Sequence, residues 1–210
     1  MAKKALTAPQ EPDDGAGSKI AEAILHFIGR IPSTDELKSD NPLDRARAIA
    51  TSAATKAAIT AGSLALPPGP FGWVTILPEL IAIWKIQAQV VADIAGAFGK
   101  EAFLTREQVL FCLFRHTAAQ AVRDLVVRVG QRVLVRRVSL RTAQAIAKKI
   151  GVRITQRAIG KGVSRWLFVV GALGVAGYAY YDTAQVAQTA IELFQQEIAT
   201  APEQEPREDV

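Results

Sequence analysis

Cysteine is almost missing from this sequence, with Cys112 alone among 210 residues. No internal disulfide can form, and no cysteine-rich zinc module can be assembled. Histidine is nearly as scarce, at His26 and His116, and no His-Glu-x-x-His, P-loop or Gly-x-Ser-x-Gly pattern occurs. The usual ligand sets for a metal or cofactor are therefore lacking, and we expect neither. Cys112 and His116 stand four residues apart, which would place thiol and imidazole on one face of a continuous helix. No orienting carboxylate or oxyanion donor accompanies them, so packing is their expected role, no catalytic residue is assigned, and no enzyme is expected. Aromatic residues make up only 7% of the chain, and none lies between Phe114 and Trp166. A single-strand nucleic-acid binder would need stacking platforms there, so nucleic acid is not an expected partner. The first ten residues carry Lys3 and Lys4 but no apolar run, which gives no secretory leader and points to a cytoplasmic protein.

What is abundant is apolar bulk and unevenly placed charge. Half of the residues are hydrophobic, enough for a sizeable core, with alanine and glycine suited to close helix packing. The net charge is +5, yet residues 115–165 hold thirteen Lys or Arg against one acid, Asp124, and the remainder sums to −7. A basic surface of that density attracts anionic lipid, nucleic acid or an acidic protein face. Residues 1–18 are rich in Pro, Gly, Asp and Glu, and 201–210 combine Pro202 and Pro206 with Glu203, Glu205, Glu208 and Asp209. Both read as disordered tails around a single helical domain at 19–200.

Between the tails the period is helical, and the expected fold class is an all-α multi-helix bundle. Ile20, Ala23, Ile24 and Phe27 form an amphipathic stripe. Pro42 opens a helix over 43–61, and the three prolines in Leu66-Pro67-Pro68-Gly69-Pro70 break the chain. A long helix over 75–98 should stop at Gly99, and Thr105-x-x-Gln108 resembles a capping box for a third helix reaching Leu125. The stretch 126–138 is β-branched, but Arg128, Arg132 and Arg136 recur every four residues and favour a helix there. Helices over 140–150 and 153–162, then one over 165–200, complete the reading.

Two apolar stretches carry the functional question. Residues 57–78 contain no charge, with the proline break at their centre, and 166–181 contain none either. The second would extend about 24 Å as a helix, against a hydrocarbon core of about 30 Å. Insertion into a membrane and a buried hairpin in a soluble core both satisfy this pattern. Gly171, Gly174 and Gly177 recur at three and would let a helix of this chain, of a second copy or of another protein approach closely. Lys149, Arg153, Arg157, Lys161 and Arg165 keep a spacing of four and would form a cationic stripe on a continuous helix. Such a helix lies flat on anionic head groups, each cation contributing about 1 kcal/mol; its competing role is a solvated face that keeps an apolar protein dissolved. Glu79, Lys85 and Asp93 punctuate the first apolar helix and need either cationic partners in the bundle or a polar cavity.

The segments Pro67-Pro68-Gly69, Pro78-Glu79-Leu80, Ile94 to Gly99, Lys148-Lys149-Ile150-Gly151 and Gly171 to Gly177 resemble, in order, the bacterial EcsC family over 42–194. Pro68 is an addition to the family's Gly-Leu-Pro-Gly, and Glu79 stands where Asp is usual. The resemblance implies a helical cytoplasmic protein, the family's namesake being encoded beside an ABC transporter involved in protein secretion, with no established reaction. Together with the residues above, it leads us to expect a non-enzymatic accessory protein at the inner face of the membrane, its partners anionic lipid and a membrane transport protein. A soluble interaction module regulating a transporter or secretion machine is the alternative, and an enzyme with an unrecognised site at Cys112 and His116 or around Glu79 and Asp93 is the third reading.

Overall fold

The computed structural model describes residues 14–28, 31–64, 72–129, 132–135, 137–159 and 167–198. Among them are seven α-helices: α1 (Asp14–Ile28), α2 (Pro42–Leu64), α3 (Gly72–Ala97), α4 (Arg106–Phe114), α5 (Ala119–Val122), α6 (Leu140–Ile159) and α7 (Leu167–Ile198). Strands β1 (Val126–Val129) and β2 (Arg132–Val135) pair between α5 and α6. The fold is an all-α multi-helix bundle carrying one small hairpin.

The core forms around α3, whose Val90, Val91, Ile94 and Ala95 are sealed from solvent. Phe194 and Val186 of α7 and Leu110 and Leu113 of α4 belong to the same cluster. Trp84 meets Phe114 edge to face at 5.5 Å between ring centres. Alanine sets the helix spacing: Ala57 and Ala61 of α2 pack with Ile83 of α3 and Ala179 of α7, and side chains this small permit close axes. α3 and α7 run parallel, since Ile83 clusters with Ala179, Gln87 bonds Asp182, and Lys100, just past α3, reaches the Phe194 carbonyl. α2 opposes both, because its C-terminal alanines share that cluster while the Ser39 amide, just before its N-terminus, donates to the Ala97 carbonyl. α1 lies on α6, with Ile20 and Ile24 joining Ile146 and Ile150 in the core.

Several sequence expectations are corrected. The helix expected over 126–138 is instead the hairpin, in register Val129↔Arg132 and Val126↔Val135. Valine-rich runs favour extended backbone, and Gly130-Gln131 between them is a two-residue hairpin signal that outweighs the fourfold arginine spacing. The third helix does not reach Leu125; it stops at Phe114, and a turn, α5 and a short 3₁₀ segment (Arg123–Leu125) follow. The two helices expected over 140–162 are one, α6, which passes through the buried Gly151. α1 starts at Asp14, inside the stretch read as a tail. The capping box at Thr105 is present in both directions, with Gln108 N–H donating to Thr105 Oγ1 and Thr105 N–H to Gln108 Oε1.

The α3 terminus follows the glycine expectation in detail. Gly99 adopts φ +67°, its N–H donates to Gly96 O at 2.7 Å, and Lys100 N–H donates to Ala95 O at 2.7 Å, a Schellman closure. Gly96 has a different duty: a Cβ there would lie 2.6 Å from the Glu36 carbonyl, because the extended segment 31–39 runs directly over this turn of α3. Gly96→Ala should cost about 1–3 kcal/mol through overpacking against backbone, and Gly99→Ala about 1–2 kcal/mol through left-handed strain. Urea unfolding measures both; a Gly96→Ala midpoint equal to that of the parent would show the contact to be loose.

Candidate anion-binding site

Asp182 is the only charged residue between Arg165 and Glu192, and it is mostly buried on α7. A carboxylate taken from water needs hydrogen-bond donors. Gln87 Nε2 of α3 donates to its Oδ2 at 2.6 Å, and His116 Nε2, in the turn after α4, lies 2.6 Å from its Oδ1. The other ring nitrogen, His116 Nδ1, is buried with no partner among the described residues. Asp182 was not singled out by sequence reasoning, although a lone acid in 26 otherwise uncharged positions, 166–191, is a signal for a paired buried group.

His116 also lines an open cavity of about 850 Å³ between the α4–α5 turn and α6. Arg123, Lys148, Lys149 and Arg153 are the charged residues on its wall, and Ala145 and Val152 supply apolar surface. No acid is among the lining residues, and among the described residues no carboxylate pairs with Arg123, Lys148 or Arg153. The site gathers four cations with no acid on its wall.

Of the eight cations assigned to anion or membrane binding, two, Lys149 and Arg153, are brought to this cavity. Arg157 lies on α6, and Arg128 and Arg132 on the hairpin rather than on a helix, with side chains outside the description. Arg136, Lys161 and Arg165 lie outside the described residues. α6, described as far as Ile159, carries Lys149, Arg153 and Arg157 of the expected stripe, and the continuation to Lys161 and Arg165 lies outside the described residues. Arg123 and Lys148 were missed, being off the fourfold spacing; Lys148 adjoins Lys149 in the chain, and only tertiary packing brings Arg123 to them.

The remaining assignments separate in the same way. A Cβ placed on Gly174 or Gly177 would meet nothing within 4 Å, so neither packs on a described helix of this chain, contrary to the intramolecular half of that expectation. Gly171 lies on α7 with its surroundings outside the description, as do the surroundings of Glu79 on α3, and Pro67, Pro68 and Gly69 are outside the described residues. Lys85 is exposed, whereas Asp93 accepts from Thr34 Oγ1 at 2.7 Å and Gln89 Nε2 at 2.8 Å and faces a polar cavity, the second of its two expected fates. On that cavity's rim Arg45 forms a two-pronged ion pair with Glu36; the hydrogen bond and the charge of Glu36, with a smaller contribution from Asp93, hold the guanidinium pKa above its ordinary value.

Cys112 and His116 do not share a helix face, since α4 ends at Phe114 and the imidazole is turned to Asp182. Among the described residues, no group of three His, Cys, Asp or Glu could hold a metal ion. No family model matches the chain, and no curated protein and no solved structure matches it.

Two measurements check this geometry. Asp182→Ala strands Gln87 Nε2 and His116 Nε2 and should cost about 1–3 kcal/mol in denaturant unfolding; an unchanged midpoint would show the cluster to be solvated. Cys112 has 0% exposure, so iodoacetamide should modify it only as fast as the protein unfolds. Rapid alkylation under native conditions would contradict that burial.

Proposed function

We propose that this protein is a non-enzymatic, membrane-associated helical accessory factor whose apolar end enters the head-group region of an anionic membrane. The observation carrying the reading is that the two charge-free stretches of the sequence meet at one end of the bundle. The C-terminal half of α2 and the N-terminal halves of α3 and α7 lie together there, joined by Ala57, Ala61, Ile83 and Ala179. Among the described residues beyond that cluster, several large apolar side chains are exposed. Leu173 is 80% exposed, and Val175, Ile59 and Leu64 are exposed as well.

Tyr178, Tyr180 and Tyr181 are exposed around α7 at the inner boundary of this end, within four residues of Asp182. Tyrosine prefers the interface between hydrocarbon and water, where its ring is buried and its hydroxyl stays wet. Burying side chains such as Leu173 and Val175 contributes about 1.5–3 kcal/mol each. A bilayer supplies the apolar environment that such side chains lack in water.

The long apolar window of α3 does not serve this purpose. Leu80–Ala97 is the one described segment long and apolar enough to span a membrane, and 61% of it is buried inside the protein as the core helix. Shallow insertion of the bundle end, rather than a span by α3, is therefore the form of association proposed. The EcsC-like order of motifs suggests a membrane transport protein as the partner met there.

Flotation with phosphatidylcholine vesicles containing phosphatidylglycerol tests the reading. The protein should float, carbonate washing should remove most of it from cell membranes, and Leu173→Glu with Val175→Glu should leave a folded chain in the bottom fraction. A parent chain that stays at the bottom at both low and high salt would end the membrane reading. In that case the same exposed end is the docking face of a soluble interaction module.

A further inference from the structure

The basic cavity and the apolar end are not independent features. His116 contributes to the cavity wall and bonds Asp182, and Asp182 follows Tyr181 directly in α7. The cavity therefore sits at the level of the tyrosines. On a protein whose apolar end is immersed, that level is where lipid phosphates lie.

We propose that this cavity is a binding site for the phosphate of an anionic phospholipid head group. The inference rests on the membrane reading above and adds a specific site to it. Three properties of the cavity point to this ligand. Arg123, Lys148, Lys149 and Arg153 converge with no acid on the wall, which suits a compact anion and disfavours a zwitterion with its ammonium inside. Its volume, about 850 Å³, falls in the range of small-molecule sites and exceeds what a bare phosphate fills, leaving room for a glycerol-linked group. Ala145 and Val152 give the wall an apolar side, as a head group continuous with a hydrocarbon chain requires.

Lys148 and Arg153 are exposed on α6 and have no partner among the described residues, so their removal should leave the fold intact. The test compares the parent full-length chain, Lys148→Ala/Arg153→Ala, and a control, Arg47→Ala/Arg141→Ala, which removes the same charge from exposed sites outside the cavity lining. Each is titrated with vesicles of phosphatidylcholine alone and of phosphatidylcholine with phosphatidylglycerol. At roughly a factor of five per cation, the cavity variant should lose about thirtyfold in partitioning onto the anionic vesicles. Its weaker binding to phosphatidylcholine should be unchanged, and the control should stay near the parent.

Equal losses in the cavity and control variants would overturn the site in favour of diffuse surface charge. Full retention of anionic-lipid preference in the cavity variant would overturn it while leaving the membrane reading standing. A parent chain that ignores all vesicles yet shows chemical-shift changes around His116 with glycerol 3-phosphate, absent in the cavity variant, would overturn the lipid assignment together with the membrane reading and identify a soluble phosphate ligand instead.

Discussion

Asp182 fixes how the bundle is put together. A buried carboxylate must find donors, and here it finds them on two other elements, Gln87 of α3 and His116 of the turn after α4. Those bonds tie the axial position of α7 to that of α3. On the C-terminal side of Asp182 lie Thr183, Val186, Ala187 and Ala190, all buried; on the N-terminal side lie Tyr181, Tyr180 and Tyr178, all exposed. Shifting α7 by one turn would bury a tyrosine hydroxyl and bring Asp182 to the apolar end, both at a cost of unpaired polar groups.

The division of the surface follows from that anchoring. The helices at the charge-free end touch through alanines, so little bulk is spent on their mutual contact and the larger side chains, Leu173, Ile59 and Leu64, remain outward. The opposite end is tied by polar contacts, although Leu37 and Phe103 are exposed there as well. There the segment 31–39 crosses α3 over Gly96, Thr34 and Gln89 satisfy Asp93, and Arg45 holds Glu36. The basic hollow lies between these polar and apolar groupings of the bundle, lined by His116 and the α6 cations.

Most helices were legible because their punctuation is local. Pro42, the Thr105 and Gln108 box, and Gly99 act within a turn of their own positions, so the sequence specifies α2, α4 and the end of α3 without reference to the rest of the fold. The hairpin was misread because two local signals compete: arginines spaced by four suggest a helical face, while valine clustering and Gly130-Gln131 favour strands. Backbone preference prevailed, since a recurrent charge has little free energy attached to its spacing unless a partner lies opposite. The glycine triplet was misleading in part for a similar reason. Its spacing permits close approach, but Gly174 and Gly177 face open space.

Charge asymmetry, the helical class and the two uncharged stretches are properties of the residue order itself, set by composition and by interactions spanning four or five residues. Which cations gather, which acid is buried, and that the two uncharged stretches share one end depend on contacts between residues such as Gln87 and Asp182, or Ala61 and Ala179, far apart in the chain. Such contacts are chosen by packing and by the need to pair buried polar groups. Neither is encoded in any short window, and only the assembled bundle decides them.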